Sequence, residues 1–396
     1  MSEFAPADTK TLVEIVAAAL ARDEPLELVA GGSKRGLGRP PQAAHTLSLV
    51  GFSGIRDYEP AELVMTAGAA TPLDEIERAL TERCQMLAFE PGDWRAMLGS
   101  GGQRQTIGGA IACNLAGPRR IRQGAARDHL LGFAGVSGRG ESFKAGGKVV
   151  KNVTGYDLCK LMAGSYGTLA ALTEVTVKVL PLPDSVGTVA VLGLSVDAAV
   201  KVMTQGLNAS HELSGAAHLP VGVGTDRAMT ILRVEGPVPS VVARVAGLRE
   251  ELKSFGAIEI LRDKESASLW SVVRDATPFA AEQSHAVWRV SVAPQAAPAL
   301  LAILGRAFDA QYFLDWGGGL VWLAVKGAAD GGASAIRAAL PPDSGHATLI
   351  RGSASLRASV PVFQPLAPGV AALSARVKDG FDPKRIFNRG RLYAEI

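Results

Sequence analysis

Cysteine is scarce in this chain of 396 residues: Cys84, Cys113 and Cys159 are the only three, they stand far apart, and no Cys-x-x-Cys pair occurs. That excludes a disulfide framework and an iron–sulfur cluster held by this chain alone, and it fits a reducing, cytoplasmic compartment. A charge excess is missing as well. Lys and Arg number 41 against 38 Asp and Glu, a net charge of +3, too balanced for a dedicated nucleic-acid binder. An uncharged stretch, 358–375, approaches the length of a membrane span, but Pro361, Pro365 and Pro368 would break such a helix. The opening MSEFAPADTK carries acids and no apolar core, so no secretory signal is expected. The six histidines, at 45, 129, 211, 218, 285 and 346, form no metal-ligand pattern, and no metal is expected.

What is abundant is glycine, 45 residues, against 6% aromatics. The balance points to a loop-rich α+β protein built for close backbone packing. Apolar spacing predicts a helix over 9–22 with Asp8 as its cap, then a strand at LELVA and a glycine-rich loop, GGSKRGLGRP, over 31–40. ELVMTAGA reads as a strand. TPLDEIERAL reads as a helix with Thr71 as N-cap and Pro72 at the first position. Glycine-dense loops are expected over 91–147, and Val175, Val177 and Val179 give a clear period of two. PLPDSVG interrupts the chain with breakers, which sets expected domains at 1–183 and 184–355, with 356–396 returning toward the first. Beyond it, strands such as TVAVLGL, AMTILRV, HAVWRVSV and LVWLAV alternate with helical runs, a second α+β unit whose sheet is covered by helices.

Several motifs carry chemistry. Successive amides in the turn around Gly31, Gly32, Ser33, Lys34, Arg35 and Gly36 can form a concavity for an anion, with cations beside it. The spacing fits neither a P-loop nor the usual dinucleotide fingerprint. EPGD at 90–93, TIGGAIACNLAG at 106–117 and GSYGTLAALTEVTVKVLP at 164–181 follow in order within one domain length.

Together these segments resemble the p-cresol methylhydroxylase/vanillyl-alcohol oxidase family of FAD-binding domains, over roughly 12–181. The resemblance implies a two-part FAD-binding domain of that type plus a smaller α+β cap with a mainly antiparallel sheet. It implies non-covalent FAD, because the first glycine loop carries no His. It places Gly31, Gly32, Ser33, Lys34, Arg35 and Gly36 at the pyrophosphate, and Pro91, Gly92, Thr106, Gly108, Gly109, Asn114, Gly167, Thr168 and Leu172 along the rest of the cofactor. FAD is long, twice negative and flat at one end, so donors at its middle and small residues along its length suit it.

GGKVVKNVTGYDLCKLMAGSYGTLAALTEVTVKVLP and the ending FDPKRIFNRGRLY are similar to the glycolate oxidase flavoproteins, and the short second half to their E-type rather than their larger D-type subunits. That implies a complex oxidising glycolate, a small 2-hydroxy acid, to glyoxylate. Its other members would be a D-type flavin subunit and an iron–sulfur subunit delivering electrons to a quinone-type acceptor, peripheral on the inner face of the membrane. The chain departs from related D-2-hydroxy acid dehydrogenases in lacking their His-rich substrate motif, which assigns substrate oxidation to the D-type subunit and an electron relay to this one. A self-sufficient D-2-hydroxy acid dehydrogenase and a non-catalytic scaffold remain open. His346 and Arg351, in SGHATLIRG, are the catalytic candidates should this chain act on substrate itself. The cations Arg119, Arg120, Arg122, Arg127, Lys144, Lys148, Lys151 and Lys160 form either a solvated face or a docking surface and anion funnel. Asp157 either faces the flavin with Tyr156 or caps a turn, and the five tryptophans are assigned to core packing.

Overall fold

The computed structural model describes residues 2–148, 155–342 and 344–395. Up to Pro181 the chain builds two main sheets and a two-stranded antiparallel ladder of Gln85–Met86 with Leu180–Pro181. The first is parallel, with His45–Ser48 between Glu3–Phe4 and Leu26–Val29. The second is antiparallel, in the order Ile55–Glu59, Val64–Gly68, Ala170–Lys178, Leu130–Ser137 and Ser142–Gly146. Helix Thr9–Arg22 starts where its sequence says it should, the Asp8 carboxylate accepting from Thr11 N at 2.8 Å, and it buries Leu12, Val16 and Ala19. Those residues share a core with Leu26, Leu47 and Phe387.

Ser185–Leu192 begins an eight-stranded sheet in which every pairing is antiparallel. Its order runs Ile258–Arg262, Ser185–Leu192, Met229–Gly236, Gly215–Leu219, Ala310–Asp315, Leu320–Val325, Ala286–Ser291 and His346–Arg351. Alternation along the strands feeds two cores. Leu314 and Val321 pack under helix Ala297–Ala307 on one face, while Phe313 and Trp322 join Leu37, Trp94, Met97 and Leu115 of the N-terminal half on the other. The two halves are thus closed by a shared apolar layer, a two-part N-terminal unit and a cap built on an antiparallel sheet.

The C-terminal segment returns to the start of the chain. Leu26 N donates to Ile386 O at 2.7 Å, and Asn388 N donates to Leu26 O at 2.9 Å. Lys378 anchors this return from full burial. Its Nζ donates to Asp382 Oδ2 (2.7 Å), Thr168 O (2.6 Å) and Phe387 O (3.1 Å), which satisfies a cation that could not otherwise sit there.

Two local expectations are corrected. Thr71 does not cap the helix over Leu73–Thr81, whose N-cap is Pro72. The Thr71 hydroxyl instead donates to Gly68 O (2.6 Å) and accepts from Gly54 N (2.8 Å), tying two turns together. Residues 91–147 are not only loops: Ile107–Ala112 is helical, with Thr106 as a cap that accepts from Gly109 N at 3.2 Å. Two glycines disfavour a helix here, but the site demands them, since a Cβ on Gly108 would lie 2.6 Å from Ala69 O.

Candidate functional site

One cavity dominates the N-terminal half. It opens where Leu26–Val29 runs into the glycine loop, and it is walled by the first turn of helix Ile107–Ala112, the turn 165–168 and the start of Ala170–Lys178. Its empty space is about 780 Å³ including the open mouth. The wall depends on missing side chains. A Cβ on Gly31 would sit 2.0 Å from Arg104 O, and Gly32 holds a left-handed φ of 79° that favours glycine.

The electrostatics are one-sided. Lys34, Arg35, Arg104 and Arg391 line the cavity, and among the described residues no Asp or Glu does. The loop closes with Arg35 N donating to Gly32 O and Leu37 N to Lys34 O. The amides of Gly32, Lys34 and Gly36 have no protein acceptor among the described residues. Lys34 Nζ donates to Gln105 Oε1 at 2.8 Å, and burial pulls its pKa down to about 8, against the opposing influence of Cys113 and Asp93. An anion in the cavity would restore its charge. Arg35 is neutralised by Glu27, its Nε lying 3.0 Å from Oε1. Arg391 is not neutralised: Nη2 donates to Lys34 O at 2.7 Å, while its buried Nε has no partner. Free amides, an orphaned guanidinium nitrogen and a partly discharged lysine form a donor set that fits the diphosphate of a dinucleotide. Leu28, Leu49, Ala112, Ala170 and Leu172 supply the apolar part of the wall.

Of the residues singled out from the sequence, Gly31, Gly32, Ser33, Lys34, Arg35, Thr106, Gly108, Gly109, Gly167 and Leu172 line this cavity. Gly36, Pro91, Gly92, Asn114 and Thr168 do not. Gly92 packs against Trp94 and Arg274 O, and Pro91 lines a separate polar crevice near Glu77. Asn114, at φ 47°, accepts from Arg127 N through Oδ1 at 3.0 Å. Thr168 donates to Ser165 O at 2.7 Å and shapes the turn from behind. His346 is exposed at the start of its strand, away from the cavity. Arg351 donates to Met97 O, Phe279 O, Glu282 O and His285 O at 2.6 to 3.0 Å, leaving one of its five N–H groups free.

Among the wall residues that escaped the sequence reading are four with polar or reactive groups beside the turns. Asn388 Oδ1 accepts from Leu28 N (2.9 Å) and its Nδ2 donates to Tyr166 O (2.8 Å), so the C-terminal tail clasps two walls of the cavity. Arg391 follows three residues later, and Tyr166 and Cys113 face the same space. Their signal was present in FNRGRL and GSYGT, but spacing alone does not say that a tail 222 residues downstream meets that turn.

The cationic run is dispersed. Arg119 is buried between Glu90 and Glu235, Arg122 pairs with Glu212, Lys148 with Asp57 and Lys160 with Asp157. Lys151 lies outside the described residues. Asp157 caps helix Leu158–Met162, and Tyr156 is 95% exposed. Among the described residues no group of three or more His, Cys, Asp or Glu is placed to hold a metal, and no helix is long and apolar enough to cross a membrane.

Residues 3–146 match the FAD binding domain family. The chain is 35% identical to the glycolate oxidase subunit GlcE of Escherichia coli over 98% of each chain. It is 40% identical to the glycolate oxidase subunit GlcD of Bacillus subtilis over 99 residues, 25% of this chain and 21% of that one. Among solved structures it resembles a 4-ethylphenol oxidase from Gulosibacter chungangensis, with a TM-score of 0.73 at 13% identity over 99% of this chain and 89% of that one. It also resembles an alkyldihydroxyacetonephosphate synthase, with a TM-score of 0.66 at 14% identity over 98% and 76%. At such identities these two speak for the fold alone.

Proposed function

This chain belongs to the family of the glycolate oxidase subunit GlcE, and from that premise we propose that it is the FAD-binding subunit of a multisubunit glycolate oxidase. That it is an FAD-linked oxidoreductase follows from the family. The observation that carries the finer reading is the end-to-end match, 35% over 98% of both chains, which includes the cap and the C-terminal clasp as well as the common flavin domain. In such a complex glycolate loses two electrons to become glyoxylate, beside a D-type flavin subunit. An iron–sulfur subunit then passes the electrons to a quinone-type acceptor, the assembly lying peripherally on the inner face of the membrane. The three free cysteines, Cys84 exposed, Cys113 half-buried and Cys159 buried, leave the cluster to a partner.

Bound FAD supplies two-electron acceptance and stepwise electron release. The chain's own work is to hold it. The amides of Gly32 and Lys34 with Arg391 and the Lys34 ammonium grip the diphosphate, and Ser33 and Arg35 complete that loop, which Gly36 continues outside the cavity. Gly31, Gly108 and Gly109 let backbone approach, while Thr106, Gly167 and Leu172 line the remainder. Asn114 and Thr168 brace turns behind the walls, while Pro91 and Gly92 face away from the cavity. Attachment is non-covalent: no His lines the cavity among the described residues, and burial pushes the Cys113 thiol up, away from its nucleophilic form.

Purified protein should be yellow and release all its flavin on acid precipitation. Co-expressed with D-type and iron–sulfur partners, it should be required for glycolate-dependent dye reduction. Colourless protein after refolding with FAD, or full activity of the partners without this chain, refutes the reading.

A further inference from the structure

Buried guanidinium groups are normally satisfied by acceptors, because desolvating a cation is expensive. Arg233, Arg119 and Arg351 obey that rule. Arg289 does not. It stands on the middle of strand Ala286–Ser291, within 4.9 to 5.5 Å of the rings of Trp94, Trp316 and Trp322. Its half-buried side chain has neither a hydrogen bond nor an ion pair among the described residues, and its Nε is sealed from solvent. Arg120 approaches the same Trp316 ring to 4.3 Å and is likewise unpaired through its side chain. Two unneutralised guanidinium groups therefore flank one indole.

The site is held from both sides. Trp316 sits at the hairpin between Ala310–Asp315 and Leu320–Val325 at φ 53°, a conformation a bulky side chain rarely adopts. Asp315 fixes it there, its carboxylate accepting from Trp316 N at 2.7 Å. Across the gap, Trp316 Nε1 donates to Gly117 O at 3.1 Å. Arg119, next to Arg120, is locked between Glu90 and Glu235. The position of Arg120 relative to Arg289 is thus set by a buried ion network. Burial together with Arg120 lowers the Arg289 pKa to about 10, with Tyr166 and Asp315 opposing. Tyr166, which lines the cofactor cavity, lies within the field of Arg289.

We propose that Arg289 and Arg120, arranged around Trp316, bind the carboxylate of a small 2-hydroxy or 2-oxo acid beside the Tyr166 wall of the cofactor cavity. A planar carboxylate matches a guanidinium fork, and the indole walls suit a two- or three-carbon acid rather than a hydrated phosphate. This rests on the flavin-subunit reading. It gives the chain its own acid site, where the lack of a His-rich motif had implied only an electron relay.

The test uses purified holoprotein whose flavin content is measured first. Oxalate, glycolate and D-lactate are titrated at constant ionic strength while tryptophan fluorescence is followed, with inorganic phosphate as the competing anion. Saturable quenching is expected, weakened about 10- to 100-fold in Arg289→Gln and in Arg120→Gln. Arg122→Gln, which removes a surface pair with Glu212, should bind as the parent does. Flavin content and Tm should stay unchanged in Arg120→Gln, whose exposed side chain makes no hydrogen bond or ion pair among the described residues. That variant keeps the test open if Arg289→Gln fails to fold. Yellow protein that gives no quenching, or quenching that survives in Arg120→Gln, overturns the acid site alone, as does equal binding of phosphate. Protein that takes up no flavin overturns the flavin-subunit reading instead.

Discussion

The four-membered ion network between the two halves gives the sharpest stability prediction. Glu90, on the segment after Leu87, accepts both Nη atoms of Arg233 at 3.0 Å each and also faces Arg119 at 3.1 Å. Glu235 takes the remaining charge of Arg119 at 2.7 Å, so two anions and two cations balance with all four side chains at most 15% exposed. Glu90→Gln keeps the shape and leaves one cation uncompensated. Breaking a buried pair from one side costs about 3–5 kcal/mol. For units of this size that is a fall in Tm of about 6–20 °C, read by calorimetry of the holoprotein. Glu90→Gln combined with Arg233→Gln removes one charge of each sign and should be less damaging than the sum of the two single changes, by at least about 1 kcal/mol. The acid limb should show the same network. Its partners hold Glu90 below the usual carboxylate range, and Arg233 and Arg119 hold Glu235 at about 2. Depressed carboxylates contribute stability above their unfolded pKa of 4.5 and lose it as pH falls toward 2, and this loss should flatten in Glu90→Gln. A single variant within about 1 °C of the parent, or strict additivity in the double variant, refutes the assignment of the network as a buried clamp.

Other changes probe the cavity and the hairpin. Gly31→Ala drives a methyl into Arg104 O and should lower bound flavin per chain and stability by about 1–3 kcal/mol, checked by absorbance and urea melts. Asn388→Ala frees Leu28 N and Tyr166 O, so flavin should dissociate faster on dilution, with about 1–3 kcal/mol of stability lost. Asp315 is raised by burial to about 7, so its charged form opposes folding, and the resulting loss grows as pH climbs from 3.8 through 7. Asp315→Asn should therefore raise Tm relative to the parent by clearly more at pH 8 than at pH 5; equal differences at both pH values would show that the carboxyl is not held neutral.

Much of the candidate cavity was legible because it is written in backbone. GGSKRG and TIGG announce close approach and free amides whatever surrounds them, and Gly31, Gly32, Gly108 and Gly109 meet at one cavity. Pro91, Gly92 and Asn114 carry the same local character yet face elsewhere, because a glycine or a left-handed Asn reports a tight turn and not what the turn faces. Helix Ile107–Ala112 was illegible for a related reason: its glycines violate propensity to satisfy a contact with Ala69 that no local rule contains.

By itself the sequence determined the alternation of helices and strands, the point near residue 183 where sheet membership changes, the absence of cluster ligands, and the small-residue segments from which a flavin wall is made. These follow from periodicity, capping and steric size, which act over a few residues. Only the tertiary structure decided that Asn388 clasps the cofactor wall, that Arg119 is a buried clamp while its neighbour Arg120 is free, and that Arg289 stands unpaired among three tryptophans. Charge and burial depend on what lies within a few ångströms in space, and those neighbours come from strands and loops tens to hundreds of residues apart.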